Sequence, residues 1–111
     1  MYSFIDIKKD QQTVLMALAQ FEIELEKCQL EGLKAIKVLH GYGSHGQGGI
    51  IKKELHKKLK SLEKQKKILT FIPCEKWDLT DKSKIIEIEP ELIADQDLKF
   101  PNSGITIVIL R

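Results

Sequence analysis

Arginine is nearly missing from this 111-residue chain: Arg111 is its one occurrence, so almost all positive charge is lysine. Lysine neutralises phosphate but lacks the planar fork that grips a guanine edge. A nucleic-acid partner would therefore be held by its backbone, with little direct reading of bases. Cysteine is scarce too. Cys28 and Cys74 lie far apart without partners at metal-type spacing, and read as two reduced core thiols of a cytoplasmic protein. No apolar run approaches the roughly 20 residues of a membrane helix. No basic segment followed by an apolar block opens the sequence. Internal repeats and low-complexity segments are absent. These absences exclude a disulfide scaffold and a membrane partner, and leave a single globular domain over residues 1–111.

What is present is unevenly spread. From Ile50 to Lys67 eight lysines face two acids, a net +6, whereas Glu75 to Leu98 carries a net −5. One side should attract a polyanion and the other should not.

The pattern predicts a strand over Tyr2–Ile7, then a helix from an Asp10 cap to about Glu31. Val14, Leu18, Phe21, Leu25 and Cys28 form its core stripe, and Gly32 is its stop. Leu33–Leu39 reads as a buried strand. Strand, helix, strand is a right-handed βαβ unit. Its parallel strands bring Asp6-Ile7-Lys8 and His40-Gly41 to one carboxyl edge, where open α/β sheets place ligands. A second helix follows over Gly49–Leu62, with Ile51, Leu55, Leu59 and Leu62 inward and lysines elsewhere. A third strand spans Ile68–Cys74 and a last one Ile105–Leu110. Between them, Glu75–Asn102 reads as ordered loop, with Trp77 as its anchor and a short helix at Ser83–Ile88 after an Asp81 cap.

The organising stretch is Val38 to Ile50. It leaves a strand, passes Gly41, Gly43, Gly46, Gly48 and Gly49, and enters the lysine-rich helix. Glycines let a backbone approach an anion closely, and unpaired N–H groups at a helix start attract phosphate. Tyr42 is either a stacking platform for an unpaired base or simply an exposed loop aromatic. His45 reads as exposed in the loop, able to contact a substrate and equally able to do nothing. Lys52 and Lys53 stand in the first turn against the helix dipole, a cost that a bound anion offsets. Neither Walker A nor the dinucleotide fingerprint fits.

His40 has two readings. It transfers a proton beside a phosphate, or its ring hydrogen-bonds a neighbouring carbonyl and fixes the loop. His56 reads as solvated on the basic helix. Asp6 pairs with a lysine, orients His40 or helps hold a cation. One carboxylate and one histidine are too few for an all-protein metal site, so Mg²⁺ or Mn²⁺ would be weakly held and shared with phosphate.

His40-Gly41-Tyr42-Gly43 after an apolar strand, with Gly43–Gly49 beyond it, resembles the HGxG loop of the Smr (small MutS-related) domain family. Ser103-Gly104-Ile105-Thr106-Ile107-Val108-Ile109-Leu110 resembles its closing strand. The resemblance runs along essentially the whole chain, including a segment over 75–104 like the insertion of compact bacterial members. It implies an α/β two-layer sandwich in β-α-β-α-β-β order with a four-stranded mixed sheet, similar to the C-terminal domain of translation initiation factor three. It implies DNA or RNA binding, and in some members nicking or cleavage. His40 and Asp6 would then be catalytic. Lys8, Gly41, Tyr42, Gly43, Ser44, His45, Gly46, Gly48, Gly49, Lys52 and Lys53 would contact substrate. One departure stands out. The family's first motif, Leu-Asp-Leu-His/Arg-Gly, is Ile5-Asp6-Ile7-Lys8-Lys9 here, which bears on cleavage more than on binding. Two other readings stay open: a binding module without catalysis, and a protein-interaction adaptor using the acidic 75–98 side.

Overall fold

In a computed structural model of the chain, which describes residues 1–8, 13–41, 48–79, 82–99 and 102–111, Thr13 sets the start of the first helix. Its backbone is extended, and its hydroxyl accepts from the Met16 amide at 3.1 Å. Asp10, expected as this cap, lies outside the described residues. A cap must stand directly before the first helical residue to reach the free amides, and Thr13 does. Helix α1 then runs Val14–Glu31 and buries Ala17, Phe21, Leu25 and Cys28. Val14 and Leu18 only flank that stripe. Gly32 ends the helix at φ +76°, and Leu33 N donates back to Cys28 O at 3.0 Å. A left-handed residue at this point suits glycine.

Strands β1 (Ser3–Asp6) and β2 (Ala35–Leu39) flank α1 in sequence and pair in parallel, Asp6 opposite Leu39. The expected βαβ unit is present. Helix α2 (Gly48–Lys64) buries Ile51, Leu55 and Leu59. β3 (Ile68–Pro73) and β4 (Ile105–Leu110) complete a four-stranded mixed sheet in the order β1-β2-β4-β3, in which β4 runs antiparallel to both neighbours. β4 is central and buried at every residue, so it reads as a continuous apolar run broken only by Thr106.

Each face of the sheet has its own core. On one, α1 and α2 pack over Ile36, Val38, Val108 and Leu110. On the other, Ala35, Ile105, Ile107 and Ile109 meet Trp77, Ile85, Leu92 and Leu98. The second cover is the segment expected as mostly loop. α3 (Ser83–Ile88) falls where expected, but the rest is largely 3₁₀ turns at Cys74–Leu79, Pro90–Ala94 and Gln96–Leu98. Trp77 anchors it, at 5% exposure. Lys82, not Asp81, precedes α3, and it makes no side-chain cap; Asp81 lies outside the described residues. Among the described residues no helix is long and apolar enough to cross a membrane.

Candidate nucleic-acid interface

The carboxyl ends of β1 and β2 lie side by side, tied by Ile7 N donating to Leu39 O at 3.0 Å. Asp6 and Lys8 are thus brought beside His40 and Gly41, as the topology requires. Asp6 turns back on its own strand end, where Oδ1 accepts from Lys8 N at 3.0 Å. It stands opposite Leu39, which packs into the core on the Trp77 side. His40 follows Leu39, and its ring lies with Thr106, opposite Val38 of the other core. Pleat alternation therefore sets Asp6 and His40 on different faces.

His40 is fully buried. Nδ1 lies 2.6 Å from the Gly41 carbonyl oxygen and Nε2 lies 2.8 Å from Thr106 Oγ1. Both ring nitrogens are engaged by groups other than Asp6. Burial pushes the imidazole down to about 4, against the Gly41 carbonyl, which works to raise it. The ring is neutral at pH 7.

The backbone around it is equally fixed. His40 N and Gly41 N both donate to Gly104 O, at 2.9 and 3.1 Å. Gly104 N in turn donates to Asn102 Oδ1 at 2.9 Å. Gly41 has φ +77°, which a side chain would oppose. The His-Gly pair that opens the loop and the Gly-Ile-Thr that opens β4 thus form one hydrogen-bonded unit. That unit explains why two motifs 66 residues apart occur together.

His56 departs from expectation. It is half-buried, not solvated, and its Nε2 lies 2.8 Å from the same Thr106 Oγ1. Its ring meets His40 edge to face at 5.7 Å and tilts over Phe71 at 5.5 Å. Burial, then Lys52, lowers its pKa.

At the start of α2, Gly48 and Gly49 are the first helical residues, and the first turn holds no acid. Lys52 bonds Glu75 at 2.6 Å. Lys57 pairs with Glu54, and Lys58 with Glu22. Lys53, Lys60 and Lys64 have no carboxylate partner among the described residues. Lys8 and Lys53 are exposed. Tyr42, Gly43, Ser44, His45 and Gly46 lie outside the described residues. No cluster of three histidine, cysteine or acidic groups able to hold a metal occurs among the described residues.

The Smr domain family model matches residues 8–78. The chain belongs to the Smr domain family. The match takes in β2, the glycine-rich stretch and α2. The Smr domain of Thermus thermophilus MutS2 has a similar fold, with a TM-score of 0.60 at 22% identity over 98% of each chain. No curated protein matches the sequence.

In this Smr domain three further residues matter that sequence reasoning did not select. His56 and Thr106 complete the His40 cluster. Lys37 is buried on the other face, where Nζ lies 3.1 Å from both Asp95 oxygens and 2.6 Å from Asp97 Oδ2. The Tyr2 hydroxyl also donates to Asp95. The signals were a lysine inside the buried run Ala-Ile-Lys-Val-Leu and a lone hydroxyl in an otherwise apolar strand. Buried polar groups of this kind require partners.

Proposed function

We propose that this Smr domain binds nucleic acid through its backbone phosphates, at the carboxyl edge of β1 and β2 and along the lysine-bearing face of α2. Helix α2 carries the reading. It opens on two glycines without an acid in its first turn, and Lys53, Lys60 and Lys64 have no carboxylate partner among the described residues. An N-terminus of this kind favours an anion. Lys8 adds a cation at the adjoining strand end. Membership of the Smr family, known for nucleic-acid binding, supports the same reading. Mg²⁺ or Mn²⁺, if used, would be shared with phosphate.

In this reading the domain is a binding module, and His40 acts by holding the loop's first peptide. A buried, neutral imidazole with both nitrogens engaged does not meet a phosphodiester. Cleavage by His40 would require it to leave both partners.

The test is binding of DNA and RNA oligonucleotides across about 50–200 mM salt. Three or four phosphate contacts give a log–log slope of about −3 on duplex DNA. Lys53→Glu with Lys60→Glu should weaken binding across sequences alike. Absence of binding at the lowest salt sinks the proposal. Plasmid relaxation with Mg²⁺ or Mn²⁺ runs in parallel: nicking by the wild type that His40→Ala abolishes would replace the binding module with a nicking endonuclease.

A further inference from the structure

The proton order in the His40 cluster follows from donor and acceptor chemistry. A carbonyl oxygen only accepts, so His40 Nδ1, 2.6 Å from Gly41 O, carries a hydrogen. The neutral ring has only one N–H, so Nε2 is a bare acceptor. Its neighbour at 2.8 Å is Thr106 Oγ1, and the hydroxyl hydrogen must point to it. That hydrogen is then spent. His56 Nε2, also 2.8 Å from Thr106 Oγ1, must therefore be the donor to the oxygen's lone pair. The chain reads His56 Nε2–H to Thr106 Oγ1, Thr106 Oγ1–H to His40 Nε2, and His40 Nδ1–H to Gly41 O.

Reversal is blocked at the Gly41 end. No lone pair of His40 can face a carbonyl at 2.6 Å without repulsion. One hydroxyl, on β4, thus passes the tautomer that the Gly41 carbonyl fixes at His40 on to His56, an imidazole of another element. No buried side-chain polar atom among the described residues lacks a partner. The charged groups around His56 are Lys52, Glu75, Lys60 and Lys76; Lys52 and Glu75 also act on His40.

We propose that Thr106 and His56 are positioning residues of the phosphate site. They hold the His40 ring, whose Nδ1–H is set by the Gly41 carbonyl, against that carbonyl at the point where the chain leaves β2 toward α2. The link to phosphate rests on the binding function proposed above. The proton order stands apart from it. The His40 and Gly41 amides converge on Gly104 O, and Thr106 and His56 add side-chain contacts from β4 and α2 at the same point.

The experiment uses ¹⁵N-labelled full chain at pH 7 and one oligonucleotide probe, single-stranded DNA of about 30 bases, long enough to cover several phosphate sites. Long-range ¹H–¹⁵N spectra should show His40 as Nδ1–H and His56 as Nε2–H. Thr106→Ser should retain both tautomers and wild-type affinity. Thr106→Val should let His56 exchange between tautomers, and weaken DNA binding roughly five- to tenfold, the effect of one oriented hydrogen bond. His56→Gln, whose amide N–H can replace Nε2–H, should bind better than His56→Leu. Amide dispersion in the same spectra identifies any variant that fails to fold, and Thr106→Ser and His56→Gln then carry the comparison. An Nε2–H tautomer at His40 in the wild type overturns the proton order. Wild-type affinity in folded Thr106→Val overturns the positioning role. Predicted tautomers in a wild type that binds no DNA uphold the proton order and overturn the phosphate function instead.

Discussion

The Lys37 ammonium stands 3.1 Å from both carboxylate oxygens of Asp95, 58 residues away, between the sheet and its 3₁₀ cover. Lys37 and Asp95 are 9% exposed as residues. Burial opposes both charges. The hydrogen bonds Lys37 donates to Asp97 and Asp95 still raise the lysine's pKa, and those Asp95 accepts from Tyr2 and Lys37 lower the aspartate's. Phe4 lies under the ammonium at 5.2 Å. The acidic segment thus spends part of its charge internally, pinning the cover to β2.

Removing Lys37 leaves the buried Asp95 carboxylate without its cation, held by the Tyr2 hydroxyl and the Asp97 amide alone among the described residues. Lys37→Met should therefore lower unfolding free energy by about 3–5 kcal/mol, whereas Lys37→Met with Asp95→Leu should recover most of it. Urea denaturation checks both. A loss below about 1 kcal/mol in the single variant would mean that the pair behaves as a surface bridge.

Acid should weaken the fold in two separate windows. The folded His40 pKa is about 4 against an ordinary 6.5. Its stabilisation is therefore complete above pH 6.5 and is lost as pH falls toward 4, because the unfolded chain takes up the proton first. By pH 4.5 the loss is about 2–3 kcal/mol. His56 is shifted the same way. Asp95, also lowered, acts only below its ordinary 3.8. Unfolding measured from pH 7.5 to 4.5 should slope accordingly, and His40→Gln should flatten most of that slope. An unchanged slope in this variant would remove His40 as its source.

Gly32 offers a test of backbone alone. Its φ is +76°, and a Cβ added there would meet nothing within 4 Å. Gly32→Ala should cost about 1–2 kcal/mol through the left-handed conformation alone, and Gly32→Asn well under that. Thermal melts of the two variants decide it. Equal losses would point to a packing cause instead of backbone strain.

Much of the scaffold was legible because it follows simple periods. The core positions Phe21, Leu25 and Cys28, the Gly32 stop, the parallel β1–β2 pair and β4 all follow from spacing and side-chain type. The 3₁₀ cover did not, since its three-residue turns and sparse apolar anchors leave no sustained 3.6 or 2.0 repeat. His56 was misplaced for a different reason. It sits one position beyond Leu55 on α2, at the margin of the apolar stripe, and only the position of Thr106 on β4 turns that margin inward. Asp6 was brought to the right edge, but the pleat sets it on the face opposite His40. Lys37 and Thr106 were polar letters inside apolar runs, and their partners lie too far along the chain for local pattern to supply.

The strand that both neighbours need is the last one made. β4 lies between β2 and β3, supplies Thr106 to the histidine cluster and follows Gly104, on which the loop's amides converge. Until a ribosome has released residues 104–110, β2 and β3 have no partner between them and His40 has no hydroxyl to face. The sheet therefore cannot close before its last strand is made, and the long-range pairing that closes it should be slow to form.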